Sequence, residues 1–63
     1  MKEEHELLRF FKYAHLPKGL QLISQPFHDL AKWVDETLKD GAEKTAALRK
    51  LLEAKDCAVR SAI

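Results

Sequence analysis

Phe11, Lys12, Tyr13 and His15 lie just ahead of Pro17, and Ser24 and His28 follow after one short segment. Planar rings beside a bend can stack on a flat heterocycle, while a hydroxyl and unpaired backbone N–H groups at a helix start suit a phosphate. Together these residue types have the chemistry to hold a nucleotide. The competing reading of Phe11 and Tyr13 is structural, because rings at a helix end usually pack into a core. Residue types alone leave both readings open.

Other chemistries find little support. His5, His15 and His28 show neither the i, i+4 spacing of a helical metal pair nor cysteine partners at zinc spacing. There is no nucleophile motif and no Gly-rich phosphate loop after a strand, and the acidic residues cannot be told from ordinary helix-surface carboxylates. The expectation is a protein that binds without catalysing, with no metal and no cofactor. Lys44, Arg49, Lys50 and Lys55 read by default as a solvated helix face.

Charge and length narrow the classes further. Eleven basic against ten acidic residues leave a net charge of +1, so a DNA binder working through a large basic patch is not expected. No apolar run approaches the roughly 20 residues of a membrane span, and Met1-Lys2-Glu3-Glu4 does not resemble a signal peptide. The expected compartment is the cytoplasm. Sixty-three residues make one small domain, and a chain this short buries only about 60% of its unfolded surface. The single Cys57 cannot close an intrachain disulfide; beside Ala54 and Ala58 it reads as a small packing residue in a reduced compartment. Oligomerisation is the remaining route to stability.

The elements that must position these residues are predicted to be all-α: a short N-terminal helix followed by an antiparallel two-helix hairpin. Leu7, Leu8, Phe11 and Ala14 share one face of a first helix over residues 3–13, with Phe10 off that face. Pro17 and Gly19 predict a connector over residues 15–23, unusually apolar for a solvated loop. Ser24 is the expected N-cap of a second helix running to Lys39, with Pro26 in its first turn and a stripe of Phe27, Leu30, Ala31, Val34 and Leu38. Trp33 falls outside that stripe.

Asp40-Gly41 breaks the chain, and Asp40 with Glu43 forms a capping-box variant opening a third helix to the end of the sequence. Ala47, Leu51, Ala54, Ala58 and Ala62 make one apolar row, and Leu48, Leu52, Val59 and Ile63 the next. Arg49 with Glu53 and Asp56 with Arg60 are expected i, i+4 pairs on the opposite side. The short connection folds the last two helices into a hairpin. Phe10, Trp33 and the connector leucines are surplus apolar surface, expected at subunit contacts.

Three strings also carry a resemblance: F-K-Y-x-H-L-P over residues 11–17, S-Q-P-F-x-x-L-A over residues 24–31, and E-K-T-x-A-L-R-K-L-L-E-A-K-D-x-A-V-R over residues 43–60. They resemble the small phage hairpin family that includes the anti-CBASS cyclic-oligonucleotide sponges, related to the anti-Thoeris sponges, over nearly the whole chain. The resemblance implies a compact helical homo-oligomer, typically a hexamer, acting in the cytoplasm of the infected host cell. It would sequester cyclic dinucleotides such as cyclic GMP-AMP between subunits without degrading them. Some members also hold cyclic trinucleotides at separate sites.

Carried over by position, the resemblance implies that Tyr13 stacks on a purine and that Ser24 and His28, at the second helix start, contact phosphate. Thr45 and Arg49 become candidates for the trinucleotide site, against the alternative of a helix cap and a surface ion pair. Longer members have a C-terminal extension, and its contacts are not expected in a sequence ending at Ile63. A second function class remains: a small helical interaction module or inhibitor that binds a protein partner through exposed aromatic residues.

Overall fold

The structure, a computed structural model, describes residues 4–63. Those residues are helical, without strands: a 3-10 helix over Glu6–Phe11, α1 over Lys18–Thr37 and α2 over Ala42–Ser61. The two long helices pack against each other as a hairpin, and the 3-10 helix lies against both. The chain measures only 15 Å in its thinnest direction. An α-helix with side chains is about 10–12 Å across, so there is one helical layer and a strap over one side of it.

The expected first helix is shorter and tighter than its sequence pattern suggests. Its proposed start at Glu3 lies outside the described residues. From His5, whose Nδ1 accepts the Leu7 N–H at 3.1 Å, the chain makes two 3-10 turns and leaves helical geometry at Lys12. So short a segment gains little from α-helical cooperativity. Its apolar face instead supplies Leu8 and Phe11, both buried, to the core.

The connector expected over residues 15–23 is mostly helix. Pro17 is the N-cap of α1, its carbonyl accepting the Leu20 and Gln21 N–H groups. Proline restricts the residue before it, and nothing in its ring prevents a helix from starting immediately after. Ser24 is consequently not a cap: it sits in the second turn of α1, fully buried. Pro26 lies inside the helix. It withholds the N–H that the Leu22 carbonyl would normally accept, a defect of about 3 kcal/mol in a helix interior.

The core is Leu8, Phe11, Ala31, Val34 and Leu48, with Leu7, Phe27, Leu51 and Leu52 packed around it. Leu30 and Leu38, expected in the α1 stripe, are instead exposed. With α1 beginning at Lys18, a second apolar row appears on its outer side. Leu22, Pro26, Leu30 and Trp33 follow at four-, four- and three-residue spacing, with Leu22 at 73% and Trp33 at 55% exposure. On α2, Leu48 faces inward, whereas Ala47, Ala54, Ala62 and Ile63 remain exposed. Cys57 is also exposed rather than packed.

The hairpin turn departs from a capping box. Gly41 is the N-cap of α2 with φ 153° and ψ −179° and makes no side-chain cap bond; that backbone region is essentially confined to glycine. Asp40 accepts from Lys44 at 2.7 Å instead. Lys44 also reaches the Asp35 carboxylate at 2.8 Å and the Asp35 carbonyl at 2.6 Å. The expected Asp56–Arg60 pair on α2 is redirected as well. Asp56 lies 3.8 Å from Lys55, and the Arg60 guanidinium donates to Cys57 Sγ at 3.4 Å.

Candidate functional site

The turn from the strap into α1 is held closely. Leu16 N–H donates to the Tyr13 carbonyl at 3.0 Å, and the Gln21 side-chain amide donates to the carbonyls of Leu16 at 2.7 Å and Ala14 at 3.3 Å. A glutamine one turn into the helix thus ties down carbonyls that the bend leaves unpaired. This fixes Tyr13, half-buried, against α1. Its ring centroid is 5.2 Å from that of His28, at an interplanar angle of 68°. An edge-to-face pair occupies at most one face of either ring. His28 Nδ1 in turn lies 3.1 Å from Asp29 Oδ1.

Lys12 and His15, on either side of Tyr13 in the chain, line a cleft of about 210 Å³ with Phe10, Ser24, Lys55 and Arg60. Asp56 also lines it, so three permanent cations face one carboxylate. Lys55 is anchored: its ammonium donates to the Phe10 carbonyl at 2.6 Å and sits 5.8 Å from the Phe11 ring centroid. The strap is thereby tied to α2 at the cleft edge. Phe10 itself remains 46% exposed, with the Arg9 guanidinium 4.8 Å from its ring centroid.

Ser24 closes the cleft from α1. Its hydroxyl is wholly buried and has no hydrogen-bond partner, the one side-chain polar atom in that condition among the described residues. A buried polar group left unpaired costs roughly 1–3 kcal/mol.

The residues expected from the sequence therefore divide into three groups. Tyr13 and His28 meet, and Ser24 lies one helical turn before His28 but opens on the cleft. Phe11 belongs to the core, at 0% exposure, and presents no free ring face within one chain. Thr45 is engaged with His5, whose Nε2 is 3.1 Å from Thr45 Oγ1, and Arg49 is exposed one turn further on. Both lie roughly 9–22 Å along the α2 axis from Lys55 and Arg60, at 1.5 Å per residue. A single chain does not bring them to Tyr13.

Sequence reading singled out Lys12 and His15 at this bend and missed Phe10, Lys55 and Arg60 as lining residues. The signal was available in Ser24: once α1 is continued back through it, the residue falls on the inward face opposite the last turns of α2.

Fold and site define a small helical hairpin with a strap and a cationic cleft. Comparison with protein-family models, with curated proteins and with solved structures gives no match in any of the three.

Proposed function

We propose that this chain binds cyclic nucleotide second messengers and sequesters them, without bond cleavage, as a homo-oligomer of the phage sponge type. The ligands would be cyclic dinucleotides such as cyclic GMP-AMP, with cyclic trinucleotides as a second class. Sequestration in the cytoplasm of an infected cell would deprive CBASS-type immunity of its signal. The observation that carries this reading is Tyr13, an aromatic ring kept out of the core at a braced turn, edge-on to His28 and flanked by cleft residues Lys12 and His15. Ring and cations at one bend match a base and its phosphate.

Assembly is supported by the outer row of α1. Leu22, Leu30 and Trp33 are largely exposed, and no element among the described residues covers them. A hexamer with ligands between subunits would use this surplus. Arg49 and Thr45 would serve the trinucleotide class only where several chains meet.

A thermal-shift panel of cyclic di- and trinucleotides tests the reading. Ligand at about 100 times its dissociation constant stabilises by roughly 2.7 kcal/mol, which for so small a domain raises Tm by roughly 10–20 °C. The bound nucleotide should be recovered intact after denaturation. A flat response across the panel defeats nucleotide binding and favours the protein-partner alternative, and recovery of linear nucleotide defeats sequestration without cleavage.

A further inference from the structure

We propose that the cleft between the end of the strap and the last turns of α2 is a phosphate subsite that seats one phosphodiester of the nucleotide. The inference rests on the function proposed above and adds Arg60 and Lys12 to Ser24, a residue for which the resemblance implies a phosphate contact. Three observations converge. The cleft of about 210 Å³ falls below the roughly 300–1,000 Å³ of sites that enclose a whole drug-sized ligand. It fits a phosphate with part of a sugar and leaves the bases outside, where Tyr13 stands.

Its charge suits that occupant. Lys12, Lys55 and Arg60 outweigh Asp56, and Asp56 is itself 3.8 Å from Lys55. Lys55 is committed to the Phe10 carbonyl, so it contributes field rather than a flexible contact. Lys12 and Arg60 are exposed at the rim, and among the described residues the Arg60 guanidinium has one hydrogen bond, a long one to the Cys57 sulfur. A guanidinium forms much stronger, two-pronged bonds to phosphate oxygens.

The third observation is the orphan hydroxyl. Ser24 is 0% exposed, belongs to the cleft lining and has no partner for Oγ. Once the lining side chains over Ser24 shift slightly, a phosphate oxygen in the cleft accepts the Ser24 O–H and removes that deficit. Shape, charge and an unpaired donor thus select one occupant, an oxyanion.

Calorimetry on the full chain tests this with two probes, cyclic GMP-AMP and inorganic pyrophosphate, and three variants. Arg60→Gln is expected to weaken both probes about tenfold or more, as for loss of a charged hydrogen bond. Ser24→Ala should weaken both severalfold without lowering the Tm of the unliganded protein, since no existing bond is lost. Lys50→Gln, a cation of α2 outside the cleft, should leave both unchanged. Full affinity for cyclic GMP-AMP in Arg60→Gln and Ser24→Ala overturns the subsite and leaves sequestration standing. Pyrophosphate binding that Arg60→Gln abolishes, in a protein that ignores cyclic GMP-AMP, supports an anion site and overturns the cyclic-nucleotide reading. Failure of the wild type to bind either probe overturns both.

Discussion

The Lys44 ammonium and the Asp35 carboxylate lie 2.8 Å apart with side-chain exposures of 1% and 7%. The ammonium has three acceptors in reach, the Asp35 carboxylate, its carbonyl and Asp40, and the second Asp35 oxygen accepts the His5 N–H at 3.1 Å. One ion pair therefore joins the end of α1, the turn, the start of α2 and the strap. Removing one partner of such a pair strands a buried charge, at a cost of about 3–5 kcal/mol. Lys44→Met is expected to lose that amount in urea denaturation, and Lys44→Met combined with Asp35→Leu should recover most of it. A loss under about 1 kcal/mol in the single variant would show that water reaches the pair.

Pro26 offers the opposite sign. Pro26→Ala restores an N–H to the Leu22 carbonyl within α1, against a smaller gain in the freedom of the unfolded chain. The expected net effect is stabilisation by about 2 kcal/mol, read as a rise in Tm. A lower Tm in the variant would mean that the proline ring is held in a contact worth more than the missing hydrogen bond.

Assembly is tested on the outer row of α1. Trp33→Glu with Leu30→Glu puts charge on positions outside the buried core, 55% and 48% exposed, so helical content should be unchanged while sedimentation shifts toward a 7.2 kDa monomer. Should the double variant keep the wild-type mass, the proposed assembly does not use this surface.

Tyr13→Ala separates a stacking ring from a structural one. Loss of a base-stacking contact costs roughly 1–3 kcal/mol, a five- to about 150-fold weaker affinity. Because Tyr13 is only half-buried, stability should fall by less than the roughly 3–5 kcal/mol of a buried aromatic truncation. Calorimetry and melting on the same sample give both numbers, and an unchanged affinity in a folded variant removes Tyr13 from the site.

The hairpin was legible because its signals are local and repeated. Asp40-Gly41 marks the turn, and Leu48, Leu51 and Leu52 mark the inner face of α2. The first half of α1 was misread because Pro17 and Gly19 are punctuation whose meaning depends on which side the helix lies. Pro26 then seemed to demand a start at Ser24. Tertiary packing of Ser24, Phe27 and Ala31 against α2 outweighs that local preference, as burial commonly does. The Lys44 lock was not legible, and of the cleft only Ser24 carried a signal. Both join residues from separate segments, and nothing in the spacing of Asp35, Lys44, Lys12 or Arg60 announces that they converge.

The strap also sets an order in time. Its ties reach Asp35, Thr45 and Lys55 across separations of 30, 40 and 45 residues, whereas the hairpin closes through a four-residue turn between Thr37 and Ala42. Long closures lose more chain entropy and form later than short ones. The strap, made before the hairpin, is therefore among the last parts to settle, and the cleft exists only after Lys55 has emerged and taken hold of Phe10. A nascent or half-folded chain lacks the cleft, so any molecule suited to it meets only the completed fold.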